Sequence, residues 1–302
     1  MSKLDIITGK VAFCIGNAES RKGIDLEKYR QFGRLYGCNA LTRDLLPDVI
    51  TAVDNGIMHE IFHKGIGYMR KCYFRNWNVL PEFTYDTMIK DGNMTDEEMK
   101  FMRDKGYLME NERTDKTKGF VMHGSAIEGV ANIVKKQGEL EKKNVKFHSV
   151  YVSWVDDEKS KVVSISDLQS DRFGKKDLGW AAGPTSGYVA CKEEGAELGA
   201  VFLLGHDLFS DNLHVNNMYK STKHYVTAEH QPTPCINWIR QWRDLMWRFK
   251  GVKFYKVQPT IGDPSKKSTM PVLEWEDVPN IKYIDYSTLD IMLKRWYSDT
   301  HA

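Results

Sequence analysis

The chain has 302 residues, 43 Lys and Arg against 41 Asp and Glu, a formal net charge of +2, and 41% hydrophobic with 12% aromatic residues. This composition is too apolar for a disordered chain, no run of about 18 apolar residues points to a membrane span, and the balanced charge gives no global pull toward nucleic acid or anionic lipid. The opening Met1-Ser2-Lys3-Leu4-Asp5 lacks the apolar run of a signal peptide, and the five cysteines, with no C-x-x-C spacing, read as reduced buried thiols, so the expected compartment is the cytoplasm.

In chain order, Val11-Ala12-Phe13-Cys14-Ile15 is a short apolar run ending at Gly16-Asn17, the pattern of a strand buried on both faces. Leu26, Tyr29 and Phe32 or Gly33 follow at helical spacing. Leu35-Tyr36-Gly37-Cys38-Asn39 predicts a second strand, and Asp48 to Asp54, after Pro47, a third. From about Gly65 to Gly183 the strand–helix rhythm weakens. There Thr95-Asp96-Glu97-Glu98 is a capping-box signature opening a helix to about Lys105, and Gly124-Ser125 precedes a helical stretch from Ala126 to about Lys136. Val150 to Val155 and Lys161 to Ile165 predict strands around Asp156-Asp157, and the polar segment from Asp167 to Gly183 predicts a loop near a site. The rhythm returns at Thr185, with a helix to Gly199, a buried strand Ala200 to Leu204, a long polar loop to Pro234, a helix with Trp238, Trp242, Leu245 and Phe249 on one face, and a strand Val252 to Val257. The tail carries Trp275, Tyr283 and Tyr286 and is aromatic enough to pack back on the body. Together these elements predict an α/β, Rossmann-like fold: a mostly parallel sheet with helices on both faces, a large mixed insertion and a C-terminal extension. The expected divisions are 1–64 and 184–259 for the two parts of the Rossmann-like domain, 65–183 for the insertion and 260–302 for the extension.

Several residue groups carry candidate chemistry. Gly16-Asn17 sits just past the first strand, where open α/β sheets bind ligands, yet Ala18-Glu19-Ser20 follows and no G-x-G-x-x-G is formed, which disfavours an ordinary dinucleotide dehydrogenase. A plain turn is the competing reading. Thr185-Ser186-Gly187 precedes a helix whose free N–H groups suit phosphate, or it simply caps that helix. Asp207, in Gly205-His206-Asp207 at another strand end, suits sugar hydroxyls, a metal or a loop cap. His59-Glu60-Ile61-Phe62-His63 formally matches H-E-x-x-H. Gly56 and Gly65 leave it only about two helical turns, however, and Met69 stands where a third histidine would extend the motif. The loop Phe209 to His230 is rich in Asn, Tyr, Lys and His, the types that act as general bases or steady a leaving phosphate. Arg240, Arg243, Arg248, Lys250, Lys253 and Lys256, interleaved with Trp238, Trp242 and Trp247, form a basic aromatic segment; amphipathic spacing assigns most of its aromatics to the core.

Four separated pieces resemble one superfamily. Ile15 to Ser20 with Ile24-Asp25 resembles the G-N-G-P-S loop of bacterial sialyltransferases that use CMP-sialic acid, with Ala18 and Glu19 replacing its Gly and Pro. Gly37-Cys38-Asn39 resembles that family's second-strand C-N. Thr185-Ser186-Gly187 and Leu203 to Leu208 resemble its T-S-G and G-x-D block, and Val252 to Pro259 its closing strand. The 6-hydroxymethylpterin diphosphokinase-like proteins are similar in the first loop and the G-x-D-L strand end, and Pro47-Asp48 and Val53-Asp54 fit them better. The resemblance covers about half the chain. It implies a nucleotide-dependent transferase, above all a glycosyltransferase, that takes a nucleotide-sugar donor and a glycan or modified DNA base as acceptor. Gly16, Asn17, Ser20, Asn39, Thr185, Ser186, Gly187 and Asp207 would bind the nucleotide. Tyr219 and Tyr225 would steady the leaving phosphate, with His224 or His230 as base, although Phe209 stands where the first such tyrosine is expected. The leading reading does not require Mg2+. The alternatives are ATP-dependent diphosphate transfer with Mg2+, drawing on Asp54 and Asp207, and a module that has kept the fold without the chemistry.

Overall fold

The structure, a computed structural model, describes residues 6–113, 117–124, 134–137, 149–168 and 179–301. The chain divides into two compact units, Met1–Val53 with Leu168–Ala302, and Asp54–Asp167.

The first unit opens with β1 (Lys10–Ile15), β2 (Arg34–Cys38) and β3 (Val49–Ala52). Every β1 residue except Lys10 is buried, as the continuous apolar run requires of a central strand. The predicted helix between β1 and β2 is instead a pair of 3-10 turns, Glu19–Arg21 and Glu27–Gln31. Leu26, Tyr29 and Phe32 recur every third residue, the 3-10 period, and Gly23 at φ +79° prevents an earlier helical start.

The second unit follows with α1 (Asn55–His63), α2 (Ile66–Met69), β4 (Lys71–Phe74), β5 (Leu80–Pro81), α3 (Glu82–Asp91) and α4 (Asp96–Asp104), then β6 (Leu108–Glu110), β7 (Gly119–His123), β8 (Val150–Val155) and β9 (Val162–Ser164). The predicted capping box starts α4: Glu98 N donates to Thr95 Oγ1 and Thr95 N to Glu98 Oε2. A mixed sheet in the order β5-β7-β8-β6 packs Phe120, Val150, Val152 and Trp154 against Tyr85 of α3 and Met99 and Met102 of α4. β4 and β9 pair in parallel. The sequence reading found β8, β9 and α4 here but not β4 to β7. Of the stretch expected to be helical after Gly124, only 134–137 is described, and it is helical. Most of the expected site loop, 169–178, lies outside the described residues.

The chain re-enters the first unit with α5 (Ala182–Glu194), β10 (Leu198–Leu204), α6 (Ile236–Arg248), β11 (Lys253–Gln258), β12 (Ile281–Asp285) and α7 (Tyr286–His301). The first unit's strands run parallel in the order β12-β11-β10-β1-β2-β3. From β1 the chain moves outward through β2 and β3, then restarts on the other side of β1 at β10. That reversal creates a topological switch point between β1 and β10, where open α/β sheets hold their ligands beyond the strands' carboxyl ends.

One sheet face carries a row of stacked rings, Tyr29–Phe13–Phe202–Tyr255, with centroids 5.0–5.4 Å apart. Leu289, Met292 and Leu293 of α7 join this core, so the C-terminal extension supplies both the edge strand β12 and part of the cover on that face. In α6 the buried residues are Ile239, Trp242, Leu245 and Met246, so the core stripe passes through Ile239 rather than Trp238. The cysteines are free thiols, all buried except the half-buried Cys235. Among the described residues no helix is long and apolar enough to cross a membrane.

α5 and α6 meet at Gly187, where an added Cβ would lie 2.5 Å from Trp242 and 2.7 Å from Leu245. Gly187→Ala is therefore expected to destabilise by about 1–3 kcal/mol through overpacking, despite alanine's higher helix propensity. Urea unfolding of the full chain measures it; unchanged or increased stability would contradict this packing.

Candidate functional site

Two loops leave the sheet side by side at the switch point. Gly16 N donates to the Leu204 carbonyl at 2.8 Å and Ala18 N to the Gly205 carbonyl at 3.0 Å. A Cβ on Gly16 would stand 2.3 Å from that Gly205 oxygen, so only glycine fits. Buried Asp207 fastens the loops: it accepts from Ser20 N at 3.3 Å, from Ser20 Oγ, and from Asn216 Nδ2 at 2.9 Å. Asn216 Oδ1 in turn accepts from Glu19 N at 2.8 Å, and Met218 N donates to the Asn17 carbonyl at 2.8 Å. Ser20 and Asp207 thus join the loop after β1 to the long loop after β10.

A second cluster lies next to this junction. Asn17 Nδ2 donates to Tyr225 Oη at 3.2 Å, and the Tyr219 and Tyr225 rings are 5.8 Å apart. The Arg43 guanidinium is 5.8 Å from the Tyr219 ring centroid and 5.6 Å from that of Tyr225, within cation–π range. It also donates to Thr222 Oγ1 at 2.6 Å and to the Lys223 carbonyl at 2.9 Å. Arg43 is delivered by the 3-10 turn Asn39–Arg43, which begins with Asn39 in the left-handed region at φ +48°. Buried Arg21 donates to the Gly16 carbonyl at 2.7 Å, to Asp44 at 3.0 Å and to Tyr219 Oη at 2.7 Å. Burial, and then the Asp44 carboxylate that accepts its hydroxyl, push Tyr219 above the ordinary tyrosine range.

The structure thus brings Gly16, Asn17, Ser20, Asp207, Tyr219 and Tyr225 together, with Asn39 at the head of the turn that carries Arg43. His224 adjoins Tyr225 at φ +68°. His230 is exposed, and its Nδ1 is 2.7 Å from the Gln231 carbonyl. Sequence reasoning missed Arg21, Arg43 and Asp44. Arg21 directly follows the first loop and Arg43-Asp44 follow the second strand by a few residues, so proximity to strand ends was the available signal.

Thr185, Ser186 and Gly187 do not precede a helix. α5 starts at Ala182, because Pro184 is tolerated in a first turn that needs no N–H from it. Thr185 Oγ1 donates to the Ala181 carbonyl at 2.9 Å and Ser186 Oγ to the Gly183 carbonyl at 2.7 Å. The helix therefore presents Ala182 and Gly183 first, and a Cβ on Gly183 would stand 3.0 Å from His206 Cε1.

His206 is wedged among Gly16, Gly183 and the Trp242 ring, whose centroid is 5.1 Å away. It is hydrogen-bonded to the Cys14 backbone, and since Nε2 has no partner, Nδ1–H is the donor and Nε2 is left as an acceptor. Burial, reinforced by the positive charges of Lys256 and Arg21, lowers its pKa to about 3. Lys256 is itself buried, donates to the Ser268 carbonyl at 2.8 Å and is lowered by burial to about 8 against the opposing pull of Asp207 and Asp211. Five buried side-chain atoms without a protein partner lie at these strand ends: Asn17 Oδ1 after β1, Thr51 Oγ1 in β3, His206 Nε2 after β10, Gln258 Oε1 in β11 and Tyr286 Oη after β12; Arg70 Nε, Trp77 Nε1, Trp247 Nε1 and Asn280 Oδ1 are others elsewhere in the chain. Folded proteins rarely leave such atoms unpaired, so each calls for a specific explanation.

The other sequence signals resolve differently. His59 and His63 lie on α1 in the second unit with ring centroids 6.1 Å apart, and Glu60 pairs with Lys64 at 2.9 Å. Both histidines direct a ring nitrogen to Ser153. Among the described residues no group of three or more His, Cys, Asp or Glu is arranged to hold a metal. In the basic aromatic segment Trp242 and Lys256 are buried, Arg243 pairs with Asp277 and Arg248 with Asp244, and a hollow lined by Arg240, Arg243, Asp244 and Trp247 remains on α6. No family model matches the chain, nor does any curated protein or solved structure.

His206 binds a proton more weakly in the fold than in the unfolded chain, where its pKa is near the ordinary 6.5. Its contribution to stability is full above pH 6.5 and is lost as the pH falls toward 3, at up to about 1.4 kcal/mol per pH unit. His206→Gln should remove that slope from a pH series of urea unfolding curves. An unaltered slope would mean that His206 is not the buried neutral group described here.

Proposed function

We propose that the chain is a nucleotide-dependent transferase, specifically a glycosyltransferase that moves a sugar from a nucleotide-sugar donor to a hydroxyl of a glycan or a modified DNA base. The observation that carries this reading is the gathering of unpartnered buried polar atoms at the strands' carboxyl ends, beside the Arg43–Tyr225–Asn17 cluster. Asn17 Oδ1 and His206 Nε2 are acceptors with free lone pairs, suited to ribose hydroxyls or the amino group of a base. The Arg43 guanidinium and the Tyr225 hydroxyl suit the phosphate of a departing nucleotide.

In this reading Gly16, Asn17 and Asn39 flank the nucleotide. A histidine of the loop takes the proton of the acceptor hydroxyl. The resulting oxygen attacks the anomeric carbon, and the bond from that carbon to the phosphate oxygen breaks. The nucleotide leaves with the electron pair, stabilised by Arg43 and Tyr225. His224 is favoured over His230 as the base, because it adjoins Tyr225 and the Lys223 carbonyl that Arg43 holds, whereas His230 turns to Gln231. Asp207 acts by holding the two loops in register, its carboxylate being taken up by Ser20 and Asn216.

Thermal unfolding against CMP, UDP, GDP, ADP, ATP and their sugar conjugates, with and without Mg2+, tests the proposal. A ligand at 100 times its Kd adds about 2.7 kcal/mol of stability and raises the melting midpoint. The expected outcome is a metal-independent shift with one nucleotide and its sugar conjugate, reduced at least tenfold in affinity by Asn17→Ala and by Arg43→Ala. A shift confined to ATP with Mg2+ would replace this reading by diphosphate transfer. No shift with any of them would overturn the nucleotide site.

A further inference from the structure

The second unit contains a hydrogen-bonded chain of side chains that the transferase reading does not use. His123 Nε2 lies 3.1 Å from the Asn76 carbonyl, which can only accept, so this nitrogen carries a hydrogen. Nδ1 of a neutral His123 is then an acceptor, 2.6 Å from His59 Nε2. His59 Nδ1 lies 2.6 Å from Ser153 Oγ, and Ser153 Oγ lies 3.0 Å from His63 Nε2, which is also 3.2 Å from the Val152 carbonyl. The neutral chain has one arrangement. His63 Nε2–H donates to Ser153, Ser153 O–H to His59 Nδ1, His59 Nε2–H to His123 Nδ1, and His123 Nε2–H to Asn76.

A first added proton fits. The extra hydrogen goes to the outer ring nitrogen of exposed His63, whose Nε2–H still faces Ser153 and the Val152 carbonyl, so no contact changes direction. A second proton does not fit. Either two N–H groups face each other across a 2.6 Å contact, or the buried Ser153 hydroxyl loses its acceptor while two imidazolium charges stand side by side.

The surroundings offer no compensation. His59 is flanked by His63 on its own helix α1, by the Trp77 ring from the turn after β4, by His123 of β7 and by the stacked Tyr151 ring of β8. The charges acting on it are those of His123 and His63, and no carboxylate acts on either His59 or His123. Glu60, the acid on α1, is paired with Lys64. Burial holds both His59 and His123 below the ordinary histidine range.

We propose that the chain His123–His59–Ser153–His63 is a pH-sensitive latch that fastens α1 to β7 and β8, keeping its hydrogen bonds when His63 takes a proton and opening when the His59–His123 pair takes one. Its elements lie within the second unit, so the latch stands whether or not the nucleotide reading holds.

Amide hydrogen exchange of the full chain, expressed as protection factors at pH 7.5 and 5.0, tests it. In His206→Gln, the variant without the first unit's own pH slope, residues 55–63 should lose at least tenfold protection at pH 5.0, while β1 and β10 keep theirs. Adding His123→Asn, which cannot take a proton, should reduce the loss, leaving only the part linked to His59. Nitrogen-detected NMR of wild-type histidines needs no variant, and should show neutral His59 protonated at Nε2 at pH 7.5, a tautomer kept while His63 alone takes a proton. Unchanged protection of 55–63 between the two pH values, the same loss with His123→Asn added, or a neutral His59 protonated at Nδ1 instead of Nε2 would overturn the latch.

Discussion

The loops after β1 and β10 cross so closely that the backbone of one fills the space of a side chain on the other. Gly16 meets Gly205 there, and Gly205 itself stands at φ +66°. Everything at the carboxyl end of the first unit's sheet is placed relative to that crossing. Because the two backbones touch, Ser20 reaches Asp207, Asp207 reaches Asn216, and the long polar loop is drawn back over the first. Tyr219 and Tyr225 come with it, to meet Arg21 and Asn17. A larger residue at Gly16 would part the loops and dissolve the cluster without touching any residue assigned to chemistry.

Beneath that crossing, the row Tyr29–Phe13–Phe202–Tyr255 fixes the register of the central strands. Such a row buries large apolar area on one face, and α7 helps to cover it. The opposite face is built differently: α5 is rich in small residues, which let α6 approach until Trp242 lies over Gly187. The same Trp242 supports the His206 ring from the side. Helix packing and the electrostatic state of the strand-end histidine therefore share one side chain.

Buried polar groups are handled in two ways. At the strand ends of the first unit, single atoms of Asn17, Thr51, His206, Gln258 and Tyr286 lack protein partners, the pattern of a surface shaped to receive something. In the second unit, His59, His123 and Ser153 satisfy one another in a closed chain, the pattern of a structural fastening that is stable only at limited protonation. The nine-residue α1 has its buried side anchored by that fastening.

The sequence by itself determined the elements whose signal is local. Continuous apolar runs marked β1, β2, β3, β8, β10 and β11, and the Thr95–Glu98 box marked α4, because burial on both faces and a reciprocal cap each dictate residue types over a few positions. It also pointed to Asn17, Tyr219 and Tyr225, whose types are those of a polar strand-end site. Tertiary structure alone decided how they combine. No local signal says that Arg21 and Arg43 turn toward the two tyrosines, that α5 begins three residues before Thr185, or that His59 and His63 bond to Ser153 and join a chain with His123. Such contacts join residues as much as 198 positions apart, and only the order of the parallel strands brings their ends together. A strand's burial is written in its own residues, whereas the partner of a polar side chain is set by the path of the chain through the sheet.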